Sequence, residues 1–247
     1  MKIILHGSTG AMGRKVAEAV AKGKHEITAF VSPEYGQSSG NCYRTLSEYT
    51  GEADCIIDFS NHAAAKALTE YAAERGIPVV IATTGFTDDE KSLIKDCSAK
   101  VPVFMSANMS LGVAVLAKLA KTAAAFFPEA DIEIVEYHHN RKLDAPSGTA
   151  LLLAEAVKAV RPDAELVLGR SGSGKRQPQD IGISAVRLGN EVGTHEIYIA
   201  TQTQRIMLQH RAEDRALFAE GAIAAAEFLI SQPAGLYDMT SLVGSDN

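Results

Sequence analysis

The sequence predicts an α/β protein built from two domains. Strand and helix patterns alternate through roughly the first 125 residues, which is typical of a parallel sheet covered by helices on both faces. Beyond this point the pattern changes, since strand candidates follow one another with one helix among them. The length of 247 residues exceeds the usual size of one domain, roughly 100 to 200 residues, and the apolar share of 46% is enough to bury a sizeable core.

The first half of the chain begins with a strand, a glycine-rich turn and a helix. Strand candidates are the apolar runs KIILHG, HEITAFV, ADCIIDFS, VVIA and VPVFM. Ser60 or Asn61 is expected to cap the alanine-rich helix that runs to Arg75. Thr87 and Glu90 have the spacing of a capping box, which predicts a helix that ends at about residue 100. A long alanine-rich helix follows the last of these strands and is expected to end near residue 128.

The second half is predicted to form an α+β sheet with antiparallel pairing. The strand DIEIVEY and a helix from Ala150 to Val160 precede three strand candidates, IGISAVRL, HEIYIA and RIMLQH. The segment TQTQ, between the last two, is short enough for a hairpin. The final helix, ALFAEGAIAAAEFLI, has no strand candidate after it and is expected to pack back on the first domain. This divides the chain into a first domain of residues 1–106 plus 216–247 and a second domain of residues 107–215.

Composition and charge exclude several classes of protein. The 24 basic and 30 acidic residues give a net charge of −6, which repels a polyphosphate backbone, so no nucleic-acid partner is expected. No run approaches the roughly 18 consecutive apolar residues of a membrane span, so we expect no membrane partner and a cytoplasmic protein. Cys42, Cys55 and Cys97 are widely spaced without a CxxC pair, so neither a disulfide framework nor a zinc cluster is expected.

A glycine-rich turn lies between the first strand and the first helix, and its residues are Gly7, Ser8, Thr9, Gly10, Ala11, Met12 and Gly13. In this position glycines let the main chain approach a pyrophosphate, whose charge meets free amides at the start of the helix. The GxxGxxG spacing is one residue longer than the common GxGxxG motif. We therefore predict an N-terminal Rossmann-type dinucleotide-binding domain, with a merely structural turn as the alternative.

Such a domain would bind a nicotinamide dinucleotide, NADH or NADPH. The adenosine ribose is expected at the end of the second strand, roughly 20 residues past the turn, where the chain reads Ser32, Pro33, Glu34. No carboxylate stands at the expected position, and no adjacent arginine or lysine could meet a 2′-phosphate. Ser32 fits either form, so the sequence leaves the preference between NADH and NADPH open.

A second glycine-rich segment, GRSGSGK at residues 169–175, matches part of a phosphate-binding P-loop. Arg176 stands where a serine or threonine should hold magnesium, and Pro178 opposes the helix that must follow, so a P-loop kinase is disfavoured. Two interpretations of this basic segment stay open, a loop that closes over an anionic substrate and a solvated surface loop.

The segment EYHHNRKLDAPSGTA, at residues 136–150, concentrates groups that transfer protons and bind anions. It joins a strand end to a helix start, where the amides of Gly148 and Thr149 would point at a carboxylate. A histidine can supply a proton near neutral pH, and Lys142 can supply a proton or a fixed positive charge. Hydride delivery leaves a negative charge that needs a proton, so the glycine-rich turn and this segment together predict a reductase.

Other kinds of site fit this segment less well. His138 and His139 are neighbours whose side chains diverge in extended chain, so a metal site that they would share with Asp144 is disfavoured. A short-chain dehydrogenase would need Tyr-x-x-x-Lys, whereas Tyr137 is followed four positions later by Arg141. None of the cysteines lies on a catalytic turn, which disfavours an acylating aldehyde dehydrogenase.

Seven segments spread over nearly the whole chain resemble one family, dihydrodipicolinate reductase, also called 4-hydroxy-tetrahydrodipicolinate reductase: GSTGAMGR, ATTGF, SANMSLGV, EYHHNRKLDAPSGTA, GRSGSGKR, HRAEDRALFAEGA and PAGLYDM. The long histidine segment is highly specific, and the others would be weak alone. The resemblance implies an N-terminal dinucleotide-binding domain, a mixed-sheet domain that binds a small dicarboxylate substrate and builds a homotetramer, and a last helix that returns to the first domain. It also implies reduction of the dehydrated form of (2S,4S)-4-hydroxy-2,3,4,5-tetrahydrodipicolinate to tetrahydrodipicolinate by NADH or NADPH, in the diaminopimelate route to lysine.

The resemblance also implies roles for individual residues. His138 resembles the proton donor, and Lys142 resembles a second donor or a charge that positions the substrate. Implied contacts with substrate carboxylates are His139, Ser147, Gly148 and Thr149. Implied cofactor contacts are the turn from Gly7 to Gly13, Ser32, Ala82, Thr83, Thr84, Ser106, Ala107, Asn108 and Met109. Family members often carry a basic residue at the position of Ala11 and an acidic one at that of Ser32, so the chain departs from the pattern at both.

A nicotinamide-binding regulator that kept the fold and lost catalysis is the alternative from another class. It is disfavoured because the intact histidine and lysine segment would have no use in such a protein.

Overall fold

The computed structural model describes residues 1–244, and the chain divides into two compact units. The first unit comprises Met1–Leu111 together with the segment that begins at Arg215, and the second comprises Gly112–Asp214. The first unit is therefore assembled from two separate stretches of the chain, whereas the second is continuous.

Within residues 1–244 the chain forms twelve strands and seven α-helices. The first unit begins with β1 (Lys2–His6), α1 (Ala11–Lys22), β2 (Glu26–Val31), β3 (Cys42–Tyr43), β4 (Cys55–Asp58), α2 (Ala65–Arg75), β5 (Val79–Ile81), α3 (Asp88–Ser98) and β6 (Pro102–Met105). The helix α4 (Leu111–Phe126) leads to β7 (Asp131–His138), α5 (Gly148–Lys158), β8 (Glu165–Leu168), β9 (Asp180–Arg187), β10 (Gly193–Ala200) and β11 (Arg205–Ala212). The first unit is completed by α6 (Ala216–Leu229), β12 (Gly235–Tyr237) and α7 (Met239–Leu242). None of the helices in this range is long and apolar enough to cross a membrane.

The first unit contains a seven-stranded sheet in the order β12-β6-β5-β4-β1-β2-β3, with every pairing parallel. Its central strands consist almost entirely of apolar residues, and every residue of β4 and β5 is buried. This is the composition of strands that are covered on both faces. The α/β class and the strands predicted for the first half are confirmed.

The sequence pattern does not predict two strands of this sheet, β3 and β12. The expectation that no strand follows the last helix is wrong, because β12 pairs in parallel with β6. Both strands lie at the edges of the sheet and have two and three residues. An edge strand needs a partner on one side only, so a run this short leaves no periodic apolar pattern to detect.

The helix ends follow capping residues that the sequence contains. The Thr87 hydroxyl accepts from the amide of Glu90, and the Glu90 carboxylate accepts from the amide of Thr87, which confirms the capping box. Of the two candidates before α2, Asn61 caps a 3-10 turn at His62–Ala64 that runs into the helix. Gly76 ends α2 in the left-handed conformation. The last long helix, α6, packs on α1 and on β4, β5 and β6, as expected.

The second unit contains a five-stranded mixed sheet in the order β11-β10-β7-β9-β8. The strand β10 pairs antiparallel with β7 and β11, and the hairpin between β10 and β11 is confirmed. By contrast, β9 pairs in parallel with β7 and β8, so the expected antiparallel pairing does not extend to this strand. The helix α5 returns the chain to the start of the sheet after β7, and a crossover of this kind makes the next strands parallel to β7.

The register of the second sheet aligns polar residues of neighbouring strands. The first buried positions of β7 are isoleucines in a core with α4 and α5, and the next two are Glu136 and His138. Glu136 lies opposite His195 of β10, and His195 lies opposite His210 of β11. A charged residue and histidines therefore continue the buried face beyond its apolar part.

Candidate active site

The glycine-rich turn between β1 and α1 has a main chain that only glycine permits. Gly7 has a φ of 81°, in the left-handed region, and a Cβ there would lie 2.4 Å from a carbonyl oxygen that follows β4. A Cβ at Gly13 would lie 2.3 Å from the carbonyl oxygen of Gly7. Gly10 caps α1 without a side-chain hydrogen bond, and Ala11 and Met12 begin the helix. The first amides of α1 thus face no capping side chain, which fits the pyrophosphate of a dinucleotide.

The end of β2 lies beside this turn. The amides of Gly7 and Ser8 both donate to the carbonyl oxygen of Val31, at 2.9 and 3.2 Å. The hydroxyl oxygens of Thr9 and Ser32 are 2.7 Å apart, and Ser32 is buried. The structure therefore brings Ser32 to the turn, at the point where an adenosine ribose is expected in this type of sheet.

The segment after β5 holds three of the predicted cofactor contacts. The amide of Ala82 donates to the carbonyl oxygen of Asp58 at 2.9 Å, and Thr84 is exposed. Thr83 is buried, and its hydroxyl group has no hydrogen-bond partner among residues 1–244. A buried hydroxyl group without a partner fits a site that a polar group of a ligand would complete.

The segment after β6 holds the other predicted cofactor contacts in a tight turn. The Ser106 hydroxyl donates to the carbonyl oxygen of Asn108 at 2.8 Å and accepts from the amide of Asn108 at 3.3 Å. Ala107 is exposed, whereas Met109 is buried. Because β1, β5 and β6 run parallel, all these segments lie at the carboxyl edge of the sheet, where dinucleotides bind in open α/β sheets.

His138, the expected proton donor, is the last residue of β7 rather than part of the loop. It is buried, with 9% of its surface exposed. Its Nδ1 lies 2.5 Å from Oε2 of Glu136, two residues earlier on the same face of the strand. Gly193 of β10 lies at the other ring nitrogen, since a Cβ there would come 3.0 Å from Nε2. The ring therefore has a carboxylate at one nitrogen and a glycine at the other.

Glu136 is completely buried and accepts hydrogen bonds on both carboxylate oxygens. Arg187 of β9 donates to Oε2 at 2.9 Å and to Oε1 at 2.8 Å, and the amide of Ser147 donates to Oε1 at 3.1 Å. Burial raises the pKa of Glu136, but the hydrogen bonds from His138 and Arg187 outweigh burial and hold this pKa at about 2. The carboxylate is therefore ionised throughout the neutral pH range.

His195 of β10 lies beside His138, with the ring centroids 5.2 Å apart and the rings edge to face. Its Nε2 is 3.1 Å from Oγ of Ser147. Burial, followed by the charge of His138, lowers the pKa of His195 to about 4. His195 is therefore a neutral ring at neutral pH.

The free energy of unfolding is expected to decrease as the pH falls from 6.5 to about 4, because of His195. Its folded pKa of about 4 lies below the ordinary value of 6.5, so the unfolded chain binds a proton first in this range. His195 makes its full contribution to the free energy of unfolding above pH 6.5. By the time the pH has fallen to about 4, about 3 kcal/mol of that free energy is lost. Any loss from Glu136 begins only below its ordinary value of 4.5.

Urea unfolding at a series of pH values would measure this dependence. His195→Gln should flatten the slope between pH 6.5 and 4. An unaltered slope in His195→Gln would contradict the assignment.

Ser147 has partners for both of its polar groups within the second unit. Its Oγ accepts from the amide of Ala150 at 3.2 Å, which caps α5, and lies near His195. Its amide donates to Glu136. Ser147 therefore joins α5 to the buried polar residues and fixes the start of the helix.

Lys142 lies in the loop between β7 and α5 and pairs with Asp144. Their nitrogen and oxygen are 2.8 Å apart, and 22% of the Lys142 side chain is exposed. The hydrogen bond from Lys142 lowers the pKa of Asp144, and the amide of Gly148 lowers it as well. The amide of Lys142 donates to the carbonyl oxygen of His139 at 3.1 Å. Asp144 thus orients Lys142 next to the start of α5.

Gly148 and Thr149 are the first two residues of α5, which begins two residues before the predicted start at Ala150. Gly148 is exposed, with open space where a Cβ would stand, and Thr149 and His139 are partly buried. The positive end of the α5 dipole and the Lys142 charge lie on the same loop, which favours an anion. Within residues 1–244 no group of three or more His, Cys, Asp or Glu side chains could hold a metal ion.

The basic loop that follows β8 is tied to the opposite end of β7. Arg170 pairs with Asp180 at 2.8 Å, and Arg176 donates to the carbonyl oxygen of Ile132 at 3.1 Å. Ile132 lies six residues, about 20 Å of strand, from His138. Neither arginine therefore lies near the histidine in this unit.

Sequence reasoning missed Glu136, Arg187 and His195. Glu136 did offer a signal, because a charged residue at a buried position of an alternating strand is rare without a partner. Arg187 is 51 residues away from Glu136 in the chain, and the two meet only because β9 pairs with β7. His195 reaches the same place through the pairing of β10 with β7.

Two family models match the chain. The model described as dihydrodipicolinate reductase, N-terminus, matches residues 1–109, and the model described as dihydrodipicolinate reductase, C-terminus, matches residues 112–243. The chain is similar to the 4-hydroxy-tetrahydrodipicolinate reductase of Caldanaerobacter subterraneus subsp. tengcongensis, at 45% identity over 98% of each chain. It is also similar to the protein of that name from Staphylococcus carnosus, at 41% identity over 98% of this chain and 99% of the relative.

Solved structures show the same fold. A dihydrodipicolinate reductase from Paenisporosarcina sp. TG-14, determined with dipicolinate bound, aligns with a TM-score of 0.82, 24% identity and 99% of each chain covered. A DAP dehydrogenase from C. glutamicum aligns with a TM-score of 0.60 and 12% identity, over 100% of this chain and 96% of that one. At these identities the likeness concerns the fold alone.

Proposed function

The chain belongs to the dihydrodipicolinate reductase family of oxidoreductases, and we propose that it reduces 4-hydroxy-tetrahydrodipicolinate to tetrahydrodipicolinate with NADH or NADPH. The observation that carries this proposal is the buried pair of His138 and ionised Glu136, which lies beside a loop with a positive charge. We assign cofactor binding to the first unit and substrate binding to the second.

The residues of the first unit bind and orient the cofactor, which supplies a hydride when it is bound. The uncapped amides at the start of α1 hold the pyrophosphate, and Gly7 and Gly13 let the main chain approach it. Ser32 meets the adenosine ribose. The nicotinamide end is assigned to Ala82–Thr84, where the Thr83 hydroxyl group is available, and to Ser106–Met109.

His138 supplies the proton. Loss of the 4-hydroxyl group as water gives the dehydrated form of the substrate, in which a carbon–carbon double bond is conjugated with the imine. Hydride addition to the carbon that lost the hydroxyl group then leaves an enamine, whose neighbouring carbon must gain a proton. Nδ1 of His138 is engaged by Glu136, so Nε2 is the donor. One hydride and one proton complete the reduction of the double bond. The imidazole ring of His138 then regains a proton from solvent.

Positive groups of the second unit hold the dicarboxylate substrate. Lys142, oriented by Asp144, supplies a charge for one carboxylate, with His139 beside it in the loop. Gly148 and Thr149 offer the positive end of α5. Ser147, expected to contact a carboxylate as well, contributes by capping this helix.

Parallel assays of NADH and NADPH oxidation test the function, with freshly generated 4-hydroxy-tetrahydrodipicolinate as the substrate. We expect substrate-dependent oxidation of at least one cofactor, and the ratio of the two rates gives the preference that Ala11 and Ser32 leave open. A chain that binds a cofactor and oxidises neither would be the regulator, which no structural observation favours. The homotetramer and the cytoplasmic location implied earlier stay predictions.

Replacing Lys142 with alanine is expected to weaken competitive inhibition by pyridine-2,6-dicarboxylate, a planar diacid that resembles the substrate. A hydrogen bond to a charged group contributes about 1.5–3 kcal/mol, so the inhibition constant should rise roughly 10- to 100-fold. Lys158→Ala removes a positive charge from the far end of α5 and should change the constant little. Equal inhibition of wild type and Lys142→Ala would show that Lys142 does not hold the dianion.

A further inference from the structure

Glu136 is a buried carboxylate whose hydrogen bonds all fix it against the proposed acid. Its Oε2 accepts from Nδ1 of His138 at 2.5 Å and from Arg187 at 2.9 Å. Its Oε1 accepts from Arg187 at 2.8 Å and from the amide of Ser147 at 3.1 Å. An ionised carboxylate can only accept hydrogen bonds, so Nδ1 of His138 carries a hydrogen whether the ring is charged or neutral.

This hydrogen bond leaves Nε2 as the nitrogen that gains and loses a proton. Gly193 has no side chain where a Cβ would lie 3.0 Å from Nε2, so the approach to this nitrogen is not closed from β10. His195 contacts the ring edge to face at a centroid distance of 5.2 Å. The ring is therefore restrained in rotation as well as in tautomer.

We propose that Glu136 is a positioning residue for the reduction, which fixes the tautomer and orientation of His138 so that Nε2 donates the proton, and that Arg187 holds Glu136 for this task. The proposal rests on the function proposed above, in which His138 is the acid. Neither residue is assigned a contact with the substrate or the cofactor. The hydrogen bond at one ring nitrogen sets the chemistry of the other, as in other histidine sites that depend on a carboxylate.

Charged and titratable groups face the proposed acid from every neighbouring element. Glu136 on β7 places a negative charge at Nδ1 of His138, and Arg187 on β9 partly cancels that charge. His195 on β10 and His210 on β11 lie in register, and burial lowers the pKa of both, so both rings are neutral above pH 7. Lys142 adds positive charge from the loop.

The variant Glu136→Gln keeps the shape of the side chain at position 136 but changes the hydrogen-bonding group that it offers to Nδ1 of His138. It therefore tests the tautomer of His138 without a change in packing. The main-chain amide of Ser147 can only donate, so the glutamine oxygen is expected to face it and the NH2 group to face Nδ1 of His138. Since an NH2 group also can only donate, the neutral ring must move its hydrogen from Nδ1 to Nε2. The double variant Glu136→Gln/Arg187→Met avoids leaving a partly buried guanidinium without its counterion, which would otherwise destabilise the fold.

Nitrogen-15 NMR of histidine-labelled protein, assigned with His138→Gln, reads this tautomer without substrate. We expect the neutral ring to carry its hydrogen on Nδ1 in the wild type and on Nε2 in both Glu136 variants. In assays, kcat should fall at least about 100-fold, the lower range for a general acid, while the inhibition constant of pyridine-2,6-dicarboxylate stays nearly constant.

Glu133→Gln is the matched control, because it removes the same charge from the same strand on the opposite face. It should leave the tautomer and kcat unchanged. A ring that keeps its hydrogen on Nδ1 in the Glu136 variants, or a double variant that regains wild-type kcat, would overturn the positioning role. A wild-type protein that fails to reduce the substrate would overturn the proposed function, and this outcome is recognised separately because the NMR measurement requires no turnover.

Discussion

Replacing His138 with glutamine is expected to lower kcat by about 10²- to 10⁴-fold, which is the usual contribution of a general acid. Glutamine can still donate a hydrogen bond to Glu136, but it has no proton to give up near neutral pH. The dissociation constants of NADH and NADPH are expected to stay unchanged, because the residues assigned to them all lie in the first unit. Steady-state kinetics and fluorescence titration with each cofactor measure both quantities.

The control for this substitution is His62→Gln, which changes a histidine that pairs with Glu90 in the first unit. It should retain wild-type kcat. If His138→Gln also turns over at the wild-type rate, another group donates the proton and the assignment is wrong.

Replacing Gly13 with alanine is expected to disrupt cofactor binding and to lower Tm. The new Cβ would lie 2.3 Å from the carbonyl oxygen of Gly7 and 2.8 Å from Cα of Ser8, both in the main chain. The turn must move to relieve these contacts, and overpacking of this kind costs about 1–3 kcal/mol. The same movement displaces the amides assigned to the pyrophosphate, so the dissociation constants of NADH and NADPH should rise at least about tenfold.

Gly23→Ala provides the comparison at the other end of α1. A Cβ at Gly23 would meet its nearest neighbour at 3.6 Å, an ordinary contact, and φ there is −106°. Cofactor binding should be unaffected in Gly23→Ala. Wild-type affinity in Gly13→Ala would show that the turn is only structural.

Most of the fold could be predicted because its elements are specified locally. The central strands of the first sheet are apolar runs, and the capping box at Thr87 and Glu90 marks the beginning of a helix within four residues. The direction of β9 and the existence of β12 depend instead on partners that are distant in sequence. A short edge strand has no signal of its own, so only the sheet that accepts it determines its conformation.

The candidate site, like the fold, could be predicted where its residues are close in sequence but not where they meet through strand pairing. His138, Lys142 and the start of α5 lie within one loop segment, so the sequence already groups them. Glu136, which holds His138, lies two residues away in the same segment, whereas Arg187 of β9 and His195 of β10 become neighbours of this pair only through strand pairing. Ser147 differs from these residues. It was expected to contact the substrate, whereas in the structure its polar groups have hydrogen-bond partners within the protein.

The edge strand β12 also bears on how a nascent chain acquires its structure. The second unit is continuous, so all of its contacts are available as soon as Asp214 has left the ribosome. The first unit cannot complete its sheet until α6 and β12 have been synthesised. Before then, β6 exposes an unpaired edge of an apolar parallel sheet. Such edges can pair with other chains, so we expect the nascent chain to be prone to aggregation in the interval before Gly235–Tyr237 emerges. A chain truncated before Gly235 would keep that open edge permanently.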